Sequence, residues 1–315
     1  MALIGELVVQ GVQMTLVLLL APLLTGIVRT LKSRAIGKAG PPPLQPYREL
    51  LRLIRKEPVV AEGASWLFRA APYLIFAGIW VAAALVPTFA SGLLFSWSAD
   101  LIAIVALLGS ARFFLALAGL DVGTSFGGIG SSREMMLADP ATIMIVFTIA
   151  LIVGSTQLSS ISAYTASEEI GLRVSLALSL VALLMVAIAE NGRIPIDNPA
   201  THLELTMVHE AMVLEYSGRH LALIELAASL KLVLYVSLIA CIFVPWGMAP
   251  PGAGLVAYAV GLASYLGKLL AGGGVLALFE MSIAKMRVFR YAEFLGAALM
   301  LGLLGTLLAF VSRSL

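Results

Sequence analysis

Charge is scarce in this chain: Asp, Glu, Lys and Arg make up 12% of its 315 residues, about half of what a soluble domain carries. So few charges cannot cover a water-facing surface, and 60% of the residues are hydrophobic; the chain is a membrane protein. Cysteine is nearly absent. The single Cys241 lies in an apolar run, which excludes a disulfide framework within the chain and the four thiolates an iron–sulfur cluster usually takes. Histidine is equally sparse, and His202, His209 and His220 all fall in one polar segment, leaving no haem ligands at bilayer depth. The chain is therefore expected to carry no redox cofactor of its own. Nor does one sign of charge dominate: 20 basic against 18 acidic residues give +2, too balanced for a nucleic-acid partner.

What is present is a series of long apolar runs. A hydrocarbon core about 30 Å thick takes about 20 apolar residues per helix. Candidate spans lie at 3–28, 70–91, 98–120, 140–158, 172–190, 221–245, 254–280 and 292–311. Prolines mark the expected boundaries, at Pro41 to Pro43, Pro140, Pro195, Pro199, Pro245, Pro250 and Pro251. The first run is too long for a signal-peptide core and has no basic residues before it, so it reads as a retained helix. The predicted fold is all-α, a polytopic membrane helical bundle of about eight transmembrane helices forming a single integral membrane domain over 1–315.

Basic residues are retained on the cytoplasmic side of a membrane. Segment 29–69 holds nine of them, and Arg112, Arg133, Arg193, Arg219, Lys285, Arg287 and Arg290 extend the same side, against only Arg173 and Arg313 opposite. Both termini are predicted outside, in a cytoplasmic (inner) membrane. Within the 29–69 loop, stretch 44–57 is too short and too charged to cross. On a helix, Tyr47, Leu50, Leu51 and Ile54 share one face, and Arg48, Arg52 and Arg55 share another. That pattern describes an interfacial amphipathic helix, which either rests on acidic lipid or forms a floor on which a soluble partner docks.

Loop 190–220 inverts the charge rule. It holds Glu190, Asp197, Glu204, Glu210 and Glu215 against only Arg193 and Arg219. Much of it is apolar and helix-compatible, so it is expected to fold back into the bundle with carboxylates partly buried, where raised pKa values permit proton exchange near neutral pH. The plainer alternative is a solvated acidic loop. His202 and His209 are candidate relays. A zinc site is not supported, because the HExxH spacing from His209 ends on Val213. The 127–130 glycine stretch lacks the third glycine and the strand of a dinucleotide fingerprint, and reads as a flexible connection or a close packing site. Charges within spans are costly and mark function by default. Lys268 near the middle of the seventh span is the strongest case, with Lys231 and Glu225 in the sixth.

The run from Glu190 through Arg193 and Pro195 to Asp197 and Pro199, with Glu204, Leu205 and then Glu215, Tyr216, Ser217 and Gly218, resembles the signature loop of the complex I subunit 1 family. That family comprises the corresponding membrane subunit of NADH-quinone oxidoreductase and relatives in membrane-bound nickel–iron hydrogenases. Leu44, Gln45 and Pro46, Lys268, and Arg287, Arg290 and Tyr291 match in the same order. The resemblance implies a subunit joining a redox-active peripheral arm to ion-translocating membrane partners. It implies that Glu190, Asp197, Glu204 and Glu215 take the family's acidic positions and Arg193 its arginine; with Glu210, Glu225, Lys231 and Lys268 these form the expected proton path, Asp139 and Glu134 being further candidates, and Arg48, Arg52, Arg55, Arg287 and Arg290 the expected docking face. The implied partners are hydrogenase large and small subunits and iron–sulfur electron-transfer subunits, which hold the nickel–iron centre and clusters, together with antiporter-like membrane subunits and lipid. Quinone-reducing members have acids where this sequence has Ala200 and His202, so the pattern is more similar to the membrane subunits of formate hydrogenlyase and hydrogenase-4. The equivalent subunit of a proton-pumping NADH-quinone oxidoreductase is the alternative. An independent transporter is less well supported, since no internal repeat is evident.

The topology is open to direct measurement. Reporter domains fused after Leu315 and within segment 29–69 should report opposite sides of the membrane, the first outside; a cytoplasmic C-terminus would contradict the charge-based orientation.

Overall fold

The computed structural model describes residues 2–61, 63–137, 139–167, 174–193, 209–282 and 290–314. Its helices are α1 (Ala2–Ala35), α2 (Gln45–Ile54), α3 (Trp66–Leu85), α4 (Leu101–Asp121), α5 (Ser125–Leu137), α6 (Asp139–Val153), α7 (Leu158–Ala166), α8 (Val174–Glu190), α9 (His209–Val213), α10 (Gly218–Phe243), α11 (Leu255–Ser282) and α12 (Arg290–Ser314). Six of them, α1, α3, α4, α10, α11 and α12, are long and apolar enough to cross a membrane, and α8 is a shorter apolar helix of 17 residues. The chain is a polytopic helical membrane protein. α10 is the most buried of the six and α11 the least. Leu230, Val233, Leu234 and Ile242 of α10 lie fully inside, where α10 meets α1, α3 and α11.

The fourth candidate span, 140–158, is not one helix. α6 has 15 residues, about 22 Å by helical rise, and stops where Gly154 turns at φ +80°. The chain beyond pairs with the start of α4: Leu101 N donates to the Thr156 carbonyl at 2.9 Å, and Leu158 N to that of Ala99 at 3.0 Å. Asp100 fixes the junction, capping α4 through Ile102 N at 2.8 Å and accepting from the Thr156 hydroxyl at 2.5 Å. The polar run Gly154 to Gln157 therefore ends the span early.

The helices alternate between two ends of the bundle. At the end away from α2, two buried glutamines of α1 serve the C-terminal carbonyls of α3, which have no intrahelical donors. Gln13 Nε2 donates to Val86 O at 2.9 Å and Ala84 O at 3.2 Å, and Gln10 Nε2 to Ala84 O at 3.0 Å. At the other end, α2 divides its surface. Pro46 is buried, the Tyr47 hydroxyl donates to the Leu19 carbonyl of α1, and Arg48, Arg52 and Arg55 are exposed. Leu51 and Ile54, each 56% exposed, do not face the bundle as the rest of the apolar stripe does. They form a lateral apolar flank at the level where α2 would meet lipid.

The 127–130 glycines are helical, within α5, and provide the close packing alternative rather than the flexible one. Gly127 lies against the Gly119 carbonyl of α4 so closely that a Cβ has no room, and Gly119 in turn faces the Ser131 hydroxyl, which donates to Ala116 O at 2.8 Å. Gly128 has open space around its Cβ direction. Gly127→Ala should therefore destabilise the protein by about 1–3 kcal/mol through overpacking, whereas Gly128→Ala should stabilise it by up to about 1 kcal/mol through helix propensity. Thermal unfolding of the two variants in detergent distinguishes the outcomes, and equal effects would contradict the packing.

Candidate functional site: a buried ion cluster at the end of α8

Local sequence explains where Glu190 comes to rest. α8 ends in a Schellman motif: Gly192 adopts φ +59°, its N–H donates to Ala189 O at 3.0 Å, and Arg193 N–H donates to Ile188 O at 3.0 Å. Asn191 adds a side-chain bond from Nδ2 to Ala187 O at 2.7 Å. The Glu-Asn-Gly-Arg run is thus a helix stop, and Glu190 is the last helical residue.

That stop lies deep in the bundle. The Glu190 carboxylate contacts the Arg112 guanidinium of α4 through Nη2 and the Lys231 amine of α10 at 3.1 Å. Arg112 lies nine residues before the end of α4 and Lys231 thirteen after the start of α10, about 14 and 20 Å along their helices. Arg112 also meets Glu134 of α5 at 3.4 Å. The side chains of Glu190 and Arg112 are 3% and 7% exposed. Desolvating such ions costs several kcal/mol each, and their mutual attraction offsets this only while the set is intact. Four helices are therefore bound into one electrostatic unit.

Arg112 belongs inside the bundle and not among the loop residues that set orientation; its place near the end of the apolar run 98–120 hides this in the sequence. Glu134, in the sequence only a further candidate for the polar path, is set against Arg112 by the fold. The signal for both is an unmatched charge beside an apolar helix.

A second cluster stands at the α2 end. Glu280, near the C-terminus of α11 and 6% exposed, takes Lys32 of α1 at 3.0 Å and Arg193 at 3.4 Å. Arg29, one turn before Lys32, reaches Glu49 of α2 at 3.5 Å. Burial draws the Arg193 pKa below its usual value; Glu280 opposes this and the Arg29 charge adds to it.

The segment from Glu215 to Gly218 acts as a clasp. The Tyr216 ring stacks on Phe68 at 4.0 Å, and its hydroxyl donates to Phe68 O at 3.1 Å. Burial, and then the Asp121 charge, push its pKa up. Ser217 Oγ accepts from Val59 N at 2.7 Å and donates to Val59 O at 3.0 Å. Gly218, at φ +53°, lies against the backbone of Lys56 and Glu57, where a Cβ would collide. Tyr216, Ser217 and Gly218 thereby fasten the chain after α2 to the start of α10.

Of the residues expected to form a proton path, the structure unites Glu190 with Lys231 and sets Arg193 on Glu280. Glu210, Glu215 and Glu225 are exposed, and His209 is half-buried. Lys268 is half-buried and donates to the Trp246 carbonyl at 2.6 Å, just beyond the end of α10, which gives it one polar neighbour. Asp197, His202, Glu204 and Arg287 lie outside the described residues, as do Ala200 and the side chain of Arg290. Among the described residues no group of three or more His, Cys, Asp or Glu could hold a metal.

The fold and site together are those of a polytopic helical membrane protein with a buried ion cluster. The chain belongs to the NADH dehydrogenase family, whose model matches residues 8–311. It is 32% identical to formate hydrogenlyase subunit 4 of Escherichia coli over 88% of this chain and 90% of that protein. It is 35% identical to hydrogenase-4 component C of the same organism over 75% of each. An NADH-quinone oxidoreductase subunit of Rhodospirillum centenum is 27% identical over 66% of this chain and 61% of its own length. In fold, the chain is similar to one in the archaeal membrane-bound sulfane sulfur reductase complex, with a TM-score of 0.80, 18% identity, and coverage of 97% and 99%. It is thus a multi-pass membrane subunit of a hydrogenase or complex I-like oxidoreductase complex, and such complexes comprise further subunits.

The ion cluster predicts non-additive energetics. Lys231→Met alone should cost about 3–5 kcal/mol by leaving a buried charge short of a partner. Adding Glu190→Gln should recover part of that loss, with a coupling of about 1–3 kcal/mol. A double-mutant cycle by denaturation in detergent checks this, and simple additivity would refute the pairing.

Proposed function

We propose that this chain is the membrane-anchor and coupling subunit of a membrane-bound group 4 nickel–iron hydrogenase complex. The observation that carries the reading is the similarity to two hydrogenase-named relatives at 32% and 35% identity over 88% and 75% of the chain, against 27% over 66% for the quinone-linked relative. The replacement of acids by Ala200 and His202 supports the same branch.

In this reading the α2 end faces the cytoplasm, and both termini lie outside the inner membrane. Exposed Arg48, Arg52 and Arg55, with Arg287 and Arg290, receive the hydrogenase large and small subunits and the iron–sulfur electron-transfer subunits. Those partners hold the nickel–iron centre and the clusters. Protons enter along Asp197, Glu204, Glu210 and Glu215, with His202 and His209 as relays and Arg193 at the base of the loop. They reach Glu190, whose charge is balanced by the Arg112 guanidinium and the Lys231 amine. Glu225 and Lys268 continue the path towards antiporter-like membrane subunits.

The alternative, the equivalent membrane subunit of a proton-pumping NADH-quinone oxidoreductase, is favoured by a 29% identity to NADH-ubiquinone oxidoreductase chain 1 of Triticum aestivum over 64% of this chain. Purifying the complex through a tag on this chain decides between them. Nickel and hydrogen evolution support the hydrogenase reading; NADH oxidation coupled to quinone reduction without nickel overturns it. Within the complex, Glu204→Gln should lower turnover-linked proton movement while the cytoplasmic subunits stay bound. Unchanged turnover and proton movement would return loop 190–220 to a merely solvated role.

A further inference from the structure

The cluster at the α2 end carries an imbalance of charge. Three cations, Arg29, Lys32 and Arg193, share two carboxylates among the described residues, Glu49 and Glu280. Glu280 serves both Lys32 and Arg193. Arg29 is left with Glu49, which also accepts from Gln45 Nε2 at 3.2 Å, and its charge bears unfavourably on Arg193. Among the described residues the cluster thus has one carboxylate fewer than its cations, a setting that favours a further anion.

The position of the cluster on α2 selects what that anion belongs to. Successive residues of a helix turn by about 100°, which sets Leu51 and Ile54 roughly 140–160° around α2 from Glu49. The cluster therefore lies across α2 from the lateral apolar flank, where lipid would be met, and on the side of α11 and the start of loop 190–220. Arg29 and Lys32 keep 48% and 43% of their side chains exposed, so the cluster is open to a group from outside the bundle. A carboxylate presented by a protein suits this placement better than a phospholipid phosphate.

We propose that Arg29, Lys32 and Arg193, held in place by Glu49 and Glu280, form an acceptor site for an Asp or Glu side chain of the cytoplasmic redox subunit. The site rests on the docking reading given above and adds a contact outside the basic stripe of α2. Planar guanidinium groups from two segments can clamp one carboxylate with paired hydrogen bonds. Because Arg193 follows the Glu190 helix stop by only three residues, the same contact ties the docked arm to the segment that positions the buried carboxylate. No proton or electron transfer is assigned to it.

The test uses the intact complex, purified through a tag on this chain, with the cytoplasmic subunits identified and quantified by mass spectrometry. Arg29→Glu should lower their retention about tenfold or more at low salt, consistent with loss and reversal of a docking charge, while the chain itself remains in the membrane, since the Arg29–Glu49 pair is half-exposed and contributes little to folding. Arg29→Lys should keep them bound, and a zero-length carbodiimide should join its new amine to an Asp or Glu of a cytoplasmic subunit. Charge reversal at that crosslinked acid, combined with Arg29→Glu, should restore retention. Undiminished retention in Arg29→Glu, or crosslinks confined to acids of this chain such as Glu49, Asp197 or Glu204, overturns the site and leaves the docking reading standing. Retention that depends on anionic phospholipid in the purified sample and not on the crosslinked acid assigns the cluster to lipid and overturns it as well. A wild-type complex that brings down no cytoplasmic redox subunit overturns both readings together.

Discussion

A carboxylate buried at the foot of a short helix sets the terms for the rest of the bundle. Glu190 is tolerable at its depth only because Arg112 and Lys231 reach it from α4 and α10. Those helices must therefore cross close to the end of α8, and α5 must bring Glu134 to the far side of Arg112. The close approach of α4 and α5 through Gly119 and Gly127 permits that last contact. The Schellman stop at Gly192 decides the level at which α8 ends. Moved by one turn, about 5.4 Å, the carboxylate would lose at least one of its cations. Packing and electrostatics in this half of the protein are thus a single constraint.

The two ends of the bundle are built from different materials. Away from α2, the problem is backbone: unsatisfied carbonyls and broken spans are closed by Gln10, Gln13, Asp100 and short stretches of paired backbone. At the α2 end, the problem is charge, and the solution is the Glu280 cluster together with the Tyr216, Ser217 and Gly218 clasp. The clasp attaches the chain after α2 to α10, the helix that carries Lys231.

Much of the architecture is legible in the sequence because long apolar runs have few alternatives. The spans at 98–120, 221–245 and 254–280 match helices closely. Less regular elements are not, because what ends them is tertiary. The 140–158 run is broken by backbone pairing with residues 99–101, a partner no local window contains. Half of the apolar stripe of α2 turns outwards, because periodicity shows that a face is apolar and not what covers it. Lys231 stands out by its cost at depth and Glu190 by its place in an acidic loop, yet their pairing needs the fold. Arg112 does not, because a basic residue near the end of an apolar run reads as a boundary marker. Lys268 reads as needing a polar neighbour at depth, and the Trp246 carbonyl beyond the end of α10 is one that no local window predicts.

In the proposed path Glu190 changes protonation as the complex turns over, beside the Lys231 amine. Infrared difference spectroscopy of the purified complex, recorded between reduced and oxidised states, reports protonated carboxyl groups directly. The account predicts a carboxyl band that changes with redox state, shifts in deuterium oxide, vanishes in Glu190→Gln and moves in Lys231→Arg. A difference spectrum in which Glu190→Gln is indistinguishable from the unsubstituted complex would contradict it.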